Sequence, residues 1–419
     1  MNKRVNNFVV NNKVILENFS FLSILQVSNL LIFILLIPFL FRILGKENYG
    51  IVIFAQTIVA YFSILVNFGL NVSATHDISI NRDNLFKRTE IISSVLIIKV
   101  FFFFVSFFVV LILISLIPSL KNNPTVYIFS MLYCLSEALF PVWYFQGIEK
   151  MKYITYINVG TRVISALIVF LIIKKPDDYF LVPLLLGSGT FAGSIIGLCI
   201  MFSIKGNKFE LQSLKKIING INYNLPLFFS NVSSQIYVNG NKLLIGSILG
   251  MPTLAFYDIA ERLVNMVKVP ISVIGQVLFP KVSRDSDVRF VHKIMTFATI
   301  VYVIVYVLLF ISADHLVNLF TGVLNSTAIS IVRILGLSII PICAGVFYAE
   351  LILIPFGFIK DYAKVRIGSL VFYFSIVAIL TIKDFIGVLQ LSMTVIIVEL
   401  FVLLYSFHLS RKNGLLNLK

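Results

Sequence analysis

The sequence predicts an all-α integral membrane protein, from its composition and from the length of its apolar runs. Hydrophobic residues make up 59% of the 419 residues and charged residues 13%, and the mean hydropathy is +0.98. A water-soluble domain could not cover so much apolar surface, so lipid must surround most of the chain. About twelve runs have the length of a bilayer-crossing helix, and they lack the alternation of a membrane β-strand. The runs lie near residues 20–41, 49–70, 91–117, 125–147, 154–173, 180–203, 223–249, 254–280, 294–313, 328–355, 365–382 and 385–409.

The first helices resemble the helices that follow the midpoint of the chain. At an offset of 205 residues, the ILG sequence at 43–45 aligns with the ILG sequence at 248–250, and Ala55 aligns with Ala260. Internal similarity at one offset is expected of a transporter built from repeats. The sequence therefore predicts two pseudo-symmetric lobes.

Six helices would return the chain to the side on which it starts, so the two lobes would share one orientation. The longest link between predicted helices, IKGNKFELQSLKKIINGI, is basic. We therefore predict an N-terminal six-helix lobe at residues 1–203, a cytoplasmic linker at residues 204–221 and a C-terminal six-helix lobe at residues 222–419.

Basic residues concentrate in the loops on one side of the predicted membrane. The net charge is +15, and most of the 34 lysine and arginine residues lie in loops on the side that holds both termini. This asymmetry follows the positive-inside rule and predicts that both termini are cytoplasmic. Nucleic-acid binding would need a folded basic patch, so no nucleic-acid partner is expected. The opposite loops contain Arg42, Lys46, Lys121, Lys174, Lys175 and Lys383.

The eighth predicted span, near 254–280, carries a polar stripe. At about 100° per residue its polar side chains fall on one face of a helix. Lipid cannot cover this face, because each unpaired charge in hydrocarbon costs several kcal/mol, so the stripe must line a cavity or a helix interface. In the simpler interpretation Asp258 and Arg262, spaced i,i+4, only neutralise each other between packed helices. The stripe contains Asp258, Glu261, Arg262, Asn265, Lys268, Ser272 and Gln276.

The seventh span repeats the pattern with Asn231, Ser234, Gln235 and Lys242. Hydrogen bonding between helices is the better explanation of the neutral residues alone, whereas Lys242 favours a polar lumen. The first span has polar residues at the repeat-equivalent positions, Gln26 and Asn29.

Further charges lie within other predicted spans. Glu137 and Glu350 each precede a proline, which frees a backbone carbonyl, and each could bind a cation or proton or pair with a basic side chain. Lys99 could lie in the interior or extend its stem to the interface. The remaining charges are Arg162 and Arg333, which we interpret as reaching lipid head-groups from the basic side, and Glu399.

The sequence has none of the motifs that would predict catalysis. It has no G-x-x-x-x-G-K-[ST] loop, its four histidines are dispersed, and its three cysteines, Cys134, Cys199 and Cys343, lack metal-binding spacing. The loops are too short for a soluble catalytic domain. We therefore predict no enzyme activity, no metal and no cofactor.

Three segments resemble bacterial lipid-linked oligosaccharide flippases, the Wzx-type O-antigen transporters. They are PVWYFQGIEKMKYIT at 141–155, FRILGKENYGIVIFAQTI after the first span, and GSILGMPTLAFYDIAERLVNMVKVPISVIGQVLFPKVS over the eighth. The resemblance implies the superfamily of multidrug and toxic-compound extrusion transporters, with two six-helix lobes around a central cavity. It also implies the bacterial inner membrane and an undecaprenyl-diphosphate-linked repeat unit as substrate. A polysaccharide polymerase and a chain-length regulator are the protein partners that it suggests.

The resemblance implies a cationic lumen, with Arg42, Lys46, Arg262 and Lys268 at the matching positions. Asp258 and Glu261 make the stripe neutral, which argues against a strongly anionic glycan. At the exit of the fourth span we interpret Trp143, Tyr144 and Tyr153 as an interfacial belt, followed by Glu149, Lys150 and Lys152 at the cytoplasmic surface. The predicted cavity residues are Arg262, Lys268, Lys242, Arg42, Asn265, Gln276, Asn231 and Gln235.

Two other functions stay open at the level of sequence. One is a cation-coupled exporter of small molecules or drugs with the same fold, in which Glu137, Asp258 or Glu350 would be the coupling carboxylate. The other is a membrane-embedded polymerase or transferase, which the absence of a long non-cytoplasmic loop disfavours.

Overall fold

The computed structural model describes residues 13–285 and 287–415, and over these ranges its regular elements are all helices. Contacts divide the chain into a first unit, Met1–Val232, and a second unit, Ser233–Lys419. The side chains outside the description are those at positions 13–16, 19, 230, 231, 233, 234, 237, 238, 272, 276, 277, 280, 281 and 285.

The first unit contains eight helices and the start of a ninth. The helices are α1 (Lys13–Asn67), α2 (Leu70–Ile80), α3 (Leu85–Leu116), α4 (Pro118–Lys121), α5 (Pro124–Leu139), α6 (Val142–Gly147), α7 (Met151–Ile172), α8 (Leu181–Ser203) and α9 (Leu214–Leu244), with a 3₁₀ turn at Pro176–Phe180.

The second unit begins within α9. It contains a π-turn at Ile245–Leu249, α10 (Met251–Asp285), α11 (Val288–Thr321), α12 (Ser326–Leu337), α13 (Ile339–Tyr348), a second π-turn at Ala349–Leu353, α14 (Ile359–Ile382) and α15 (Val388–Lys412).

Side-chain caps fix the starts of several helices. Asn84 accepts the backbone N–H of Lys87 at 3.0 Å before α3, and Asn325 accepts that of Ala328 at 2.8 Å before α12. Each cap satisfies an N–H group that has no partner within its helix.

The two aligned ILG sequences form the same kind of backbone break. α1 is interrupted at Gly45, with φ 74° and ψ 167°, and Gly250 has φ 90° and ψ 165° just before α10. Only glycine adopts such positive φ values at little cost. Downstream of these glycines, Ala55 and Ala260 are both fully buried. The repeat inferred from the sequence therefore has a structural counterpart at the residues that carry it.

Nine described segments are long and apolar enough to cross a membrane. One of them, Ser20–Ile80, includes the break at Gly45 and so covers the first two predicted spans. α9 and α10, the seventh and eighth predicted spans, are not among the nine. Both helices contain side chains that lie outside the described part of the chain, so the nine segments do not decide whether they cross the membrane. The count of twelve stays a prediction.

The start of α9 packs within the first unit. Phe228 stacks on Phe68 with ring centroids 4.5 Å apart, and the Ser73 hydroxyl donates to Asn224 Oδ1 at 2.5 Å. The segment 204–221 lies wholly inside this unit. The lobe boundaries and linker inferred from the sequence stay a prediction.

The aromatic segment at the exit of the fourth span is part of a core. α5 ends at Leu139, and the short α6 that follows Pro141 packs against α2. Trp143, Tyr144 and Phe145 have no exposed surface. The interfacial-belt interpretation is therefore wrong for Trp143 and Tyr144, because α6 turns back into the bundle.

Gln146-Gly147 ends α6 where it meets α2 at close range. A Cβ atom on Gly147 would lie 2.6 Å from Ile78 Cγ2 and 3.0 Å from the carbonyl oxygen of Thr75. Arg82 Nε donates to the Gly147 carbonyl at 2.8 Å, and its Nη2 binds Glu149 Oε1 at 2.6 Å. This hydrogen bond lowers the pKa of the exposed Glu149 carboxyl. These contacts join the end of α6 to α2 and to Arg82 just beyond it.

We expect Gly147→Ala to destabilise the protein by about 1–3 kcal/mol, since the added methyl group overlaps Ile78 and the Thr75 backbone. Thermal unfolding of the purified protein in detergent measures the effect. Gly160→Ala is the matched control, because a Cβ atom at Gly160 in α7 meets nothing within 4 Å. Equal unfolding temperatures for the two variants would contradict this account of Gly147.

Candidate functional site

A cluster of four charges joins α9 to α10 in the second unit. Lys242 Nζ lies 2.8 Å from Asp258 Oδ1 and 2.6 Å from Glu261 Oε2. Arg262 Nε lies 2.6 Å from Asp258 Oδ2. Two cations and two carboxylates make the cluster neutral, and Asp258 is fully buried within it. We call these four residues the α9–α10 cluster.

Helical spacing and the Gly250 turn explain why these residues meet. Asp258, Glu261 and Arg262 lie within about one turn of α10 and share a face. Lys242 is sixteen positions before Asp258, on the other side of the turn. The i,i+4 pair of Asp258 and Arg262, which the simpler interpretation of the sequence predicts, is present. Lys242 adds an ion pair between α9 and α10.

The polar face of α10 continues beyond the cluster into accessible space. The Arg262 side chain is 30% exposed, and Asn265 one turn later is exposed. On α9, the exposed Gln235 accepts a hydrogen bond from Asn239 at 3.3 Å. A polar ligand could therefore contact Arg262 without disrupting the helices. The side chains of four predicted residues, Asn231, Ser234, Ser272 and Gln276, lie outside the described part of the chain.

A second group of charges lies on α10, α14, α15 and the second π-turn. Arg366 Nη2 lies 2.7 Å from Glu350 Oε1, and Arg366 Nε donates to the Tyr362 hydroxyl at 3.1 Å. The basic charges that act on Glu399 are those of Lys268 and Arg366. This group is also neutral. Its Lys268 interacts with Glu261 as well, which connects it to the α9–α10 cluster.

In the first unit Lys99 is fully buried beside Glu137. Its ammonium donates to Asn71 Oδ1 at 2.8 Å and to the Glu137 backbone carbonyl at 3.1 Å, and lies 3.7 Å from Glu137 Oε1. That carbonyl would bond to the N–H of residue 141 in an unbroken helix, and Pro141 has none. Lys99 therefore does not extend to the interface. Its ammonium donates a hydrogen bond to the carbonyl that the proline leaves without a helical partner.

Each of the three carboxylates proposed for ion coupling has a basic partner. Lys99 neighbours Glu137, Lys242 and Arg262 bind Asp258, and Arg366 binds Glu350. The Glu137 carboxylate also accepts from Asn67 at 3.1 Å and Asn71 at 3.0 Å. A coupling cation would have to displace a tethered basic side chain at any of these sites.

Two of the predicted cationic residues belong to the first unit. Arg42 and Lys46 are exposed on α1, on either side of the break at Gly45. Lys242, Arg262 and Lys268 belong to the second unit.

The opposite face of α10 is apolar. Its residues 267, 270, 274 and 278 follow helical spacing on the side away from Arg262 and Asn265. Together with α11 they form a groove of about 580 Å³, a volume in the usual range of about 300–1,000 Å³ for ligand sites. α10 therefore has a charged face and a hydrocarbon-lined face. The groove is lined by Val267, Pro270, Val273, Ile274 and Leu278 of α10 and by Ile294, Phe297, Ala298, Val301, Tyr302 and Val305 of α11.

The nine described segments of crossing length define a multi-pass membrane protein, and its relatives identify it as a transporter, not an enzyme. The chain belongs to the family described as polysaccharide biosynthesis proteins, whose sequence profile matches residues 15–286. Over 360 residues it is 24% identical to a protein of Escherichia coli strain K12 named "Putative O-antigen transporter", covering 84% of this chain and 86% of that protein.

Solved structures of transporters share the fold. An inward-facing multidrug resistance MATE family transporter of the MOP superfamily superposes with a TM-score of 0.74 at 14% identity, over 94% of this chain and 98% of that one. The lipid II flippase MurJ in an inward closed conformation gives a TM-score of 0.71 at 15% identity, over 92% of this chain and 87% of that one. The prediction of an all-helical transporter fold is confirmed.

Proposed function

We propose that the protein is a flippase for an undecaprenyl-diphosphate-linked oligosaccharide repeat unit. It moves the unit from the cytoplasmic to the periplasmic leaflet of the bacterial inner membrane, with both termini in the cytoplasm. The family of polysaccharide biosynthesis proteins and the Escherichia coli relative named "Putative O-antigen transporter" support this class of substrate.

The two faces of α10 carry the proposal. A lipid-linked glycan is polar at one end and hydrocarbon at the other, and its diphosphate and sugars cannot cross about 30 Å of hydrocarbon unaided. The charged face of α10, from Asp258 to Lys268, suits the head-group. The apolar groove on the other face suits the polyprenyl chain, which stays in a hydrocarbon environment throughout. One helix thus matches both halves of such a substrate.

Arg262 has the central role in binding the head-group. Its planar guanidinium presents donors in a fork that matches phosphate oxygens, and its side chain is partly accessible. Lys242 and Lys268 add positive charge beside it, and Asn265 and Gln235 offer hydrogen bonds to sugars. Arg42 of the first unit, together with Asn231 and Gln276, stays a prediction from the sequence. Since the α9–α10 cluster is neutral, the site suits a glycan without strong negative charge.

A flippase accounts for the basic partners of the carboxylates better than a cation-coupled drug exporter does. In an exporter, Glu137, Asp258 or Glu350 would have to bind an ion in place of Lys99, Lys242 or Arg366. In a flippase these carboxylates need not bind an ion. Their basic partners can stay in place and hold the helices together throughout transport.

Deletion of the gene in its native host tests the proposal. We expect surface polysaccharide to disappear and lipid-linked repeat units to accumulate on the cytoplasmic leaflet, with the wild-type gene restoring display. Unchanged display would contradict a flippase. Increased drug sensitivity with normal display would favour the exporter, and normal display with abnormal chain length would favour a polymerase.

A further inference from the structure

One arginine of the first unit lies at the middle of a membrane-crossing helix and has no carboxylate partner among the described residues. Arg162 is eleven residues after the start of α7 and ten before its end, so each end is about 15 Å away at about 1.5 Å per residue. It is half-buried and hydrogen-bonds to Asn29 Oδ1. The interpretation that it reaches lipid head-groups is therefore wrong, because neither end of α7 is close enough.

Asn29 occupies the equivalent depth in its own helix. It lies sixteen residues after Lys13 and sixteen before the break at Gly45. Two mid-helix polar residues thus meet between α1 and α7. Tyr133 of α5 is a titratable neighbour of Arg162, and among the described residues no carboxylate forms an ion pair with this arginine. Glu137 of α5 is already bound by Asn67, Asn71 and Lys99.

The free donors of Arg162 are accessible. A guanidinium has five N–H donors, and Asn29 accepts from one of its nitrogens. No acceptor for the others is found among the described residues, and none of its nitrogen atoms is sealed in the packing without a partner. A charge in the bilayer interior is costly unless something pairs with it. An anion that arrives from outside the chain would supply that missing partner.

We propose that Arg162, held by Asn29, is a phosphate-binding group of the first unit and that its ligand is the diphosphate of the polyprenyl-linked substrate. This inference rests on the proposed flippase function. Arginine binds phosphate bidentately, and the amide of Asn29 fixes the side chain while leaving donors for the ligand. A neutral holding partner preserves the positive charge, whereas Asp258 neutralises Arg262 in the second unit.

Thermal unfolding in detergent with added undecaprenyl diphosphate, which carries no sugar, tests the inference. A ligand that binds the folded state raises the unfolding temperature with concentration. We expect the wild-type protein to show this rise and Arg162→Gln to need at least tenfold more ligand for the same rise. Arg162→Lys keeps the charge but loses the fork, so an intermediate affinity is expected. Arg333→Gln is the control, because Arg333 pairs with the exposed Asp314 at 3.0 Å.

Two further measurements separate a ligand site from a structural role. Without ligand, Arg162→Gln should be at least as stable as the wild type, since it removes a charge that has no counter-charge. The same unfolding measurement with inorganic pyrophosphate in place of the lipid shows whether binding needs the polyprenyl chain. We expect pyrophosphate to bind at least tenfold more weakly than the lipid.

Equal lipid-induced shifts in the wild type and Arg162→Gln would overturn the inference, as would the absence of any shift in the wild type. Equal affinity for pyrophosphate and lipid would overturn the assignment to a lipid substrate. If Arg162→Gln fails to fold, Arg162→Lys gives the comparison. Gene deletion, with restoration of surface polysaccharide by the wild-type gene, tests the flippase function separately. The flippase function can therefore hold even if the unfolding measurements contradict the role of Arg162.

Discussion

Asp258→Ala is expected to destabilise the protein by about 3–5 kcal/mol, because it removes one of two carboxylate partners from Lys242, which is only 13% exposed, and the bound carboxylate oxygen from Arg262. Asp258 has no exposed surface, so water cannot replace it. Thermal unfolding in detergent and the amount of protein in membranes measure the effect.

Asp314→Ala is the matched control for this prediction. It also removes an aspartate from an arginine pair, but the Asp314 side chain is 51% exposed. Exposed pairs contribute about 0–1 kcal/mol, so this variant should unfold near the wild-type temperature. Equal stability of Asp258→Ala and Asp314→Ala would contradict the claim that the α9–α10 cluster holds α9 and α10 together.

Arg262→Ala is expected to reduce surface polysaccharide by about ten- to a hundredfold with normal protein levels. Loss of a hydrogen bond to a charged group costs about 1.5–3 kcal/mol, which corresponds to that range in affinity. The fold should survive, because Asp258 keeps Lys242 at 2.8 Å and the guanidinium is partly exposed already. Quantitative detection of display beside immunoblots of membranes gives both values.

Arg262→Lys separates charge from geometry. It retains the positive charge and loses the planar fork, so display between that of Arg262→Ala and that of the wild type is expected. Full display in Arg262→Ala would remove this side chain from the mechanism.

Local patterns predicted the helical architecture well. The apolar runs predicted the nine described segments that are long and apolar enough to cross a membrane, and the two ILG sequences located glycines with matching positive φ values at Gly45 and Gly250. The i,i+4 spacing of Asp258 and Arg262 also gave their contact correctly. These features depend on residues close together in the chain, where helical geometry fixes what can meet.

Contacts between distant segments could not be predicted in this way. The burial of Trp143 depends on α6 packing against α2, and the pairing of Arg366 with Glu350 depends on the second π-turn. The sequence places Arg162 near the basic-side end of its predicted span, which predicts that it reaches the membrane surface. Its distance from both ends of α7 and its bond to Asn29 appear only in the folded chain.

Translocation by the purified protein in sealed liposomes tests the central claim most directly. Fluorescent undecaprenyl-diphosphate-linked repeat units are placed in both leaflets, and a membrane-impermeant glycosidase digests those on the outside. With the wild-type protein we expect digestion to proceed beyond the outer-leaflet share towards completion, and with Arg262→Ala to pass that share at least tenfold more slowly. Digestion that stops at the outer-leaflet share with the wild-type protein, as in protein-free liposomes, would contradict the account.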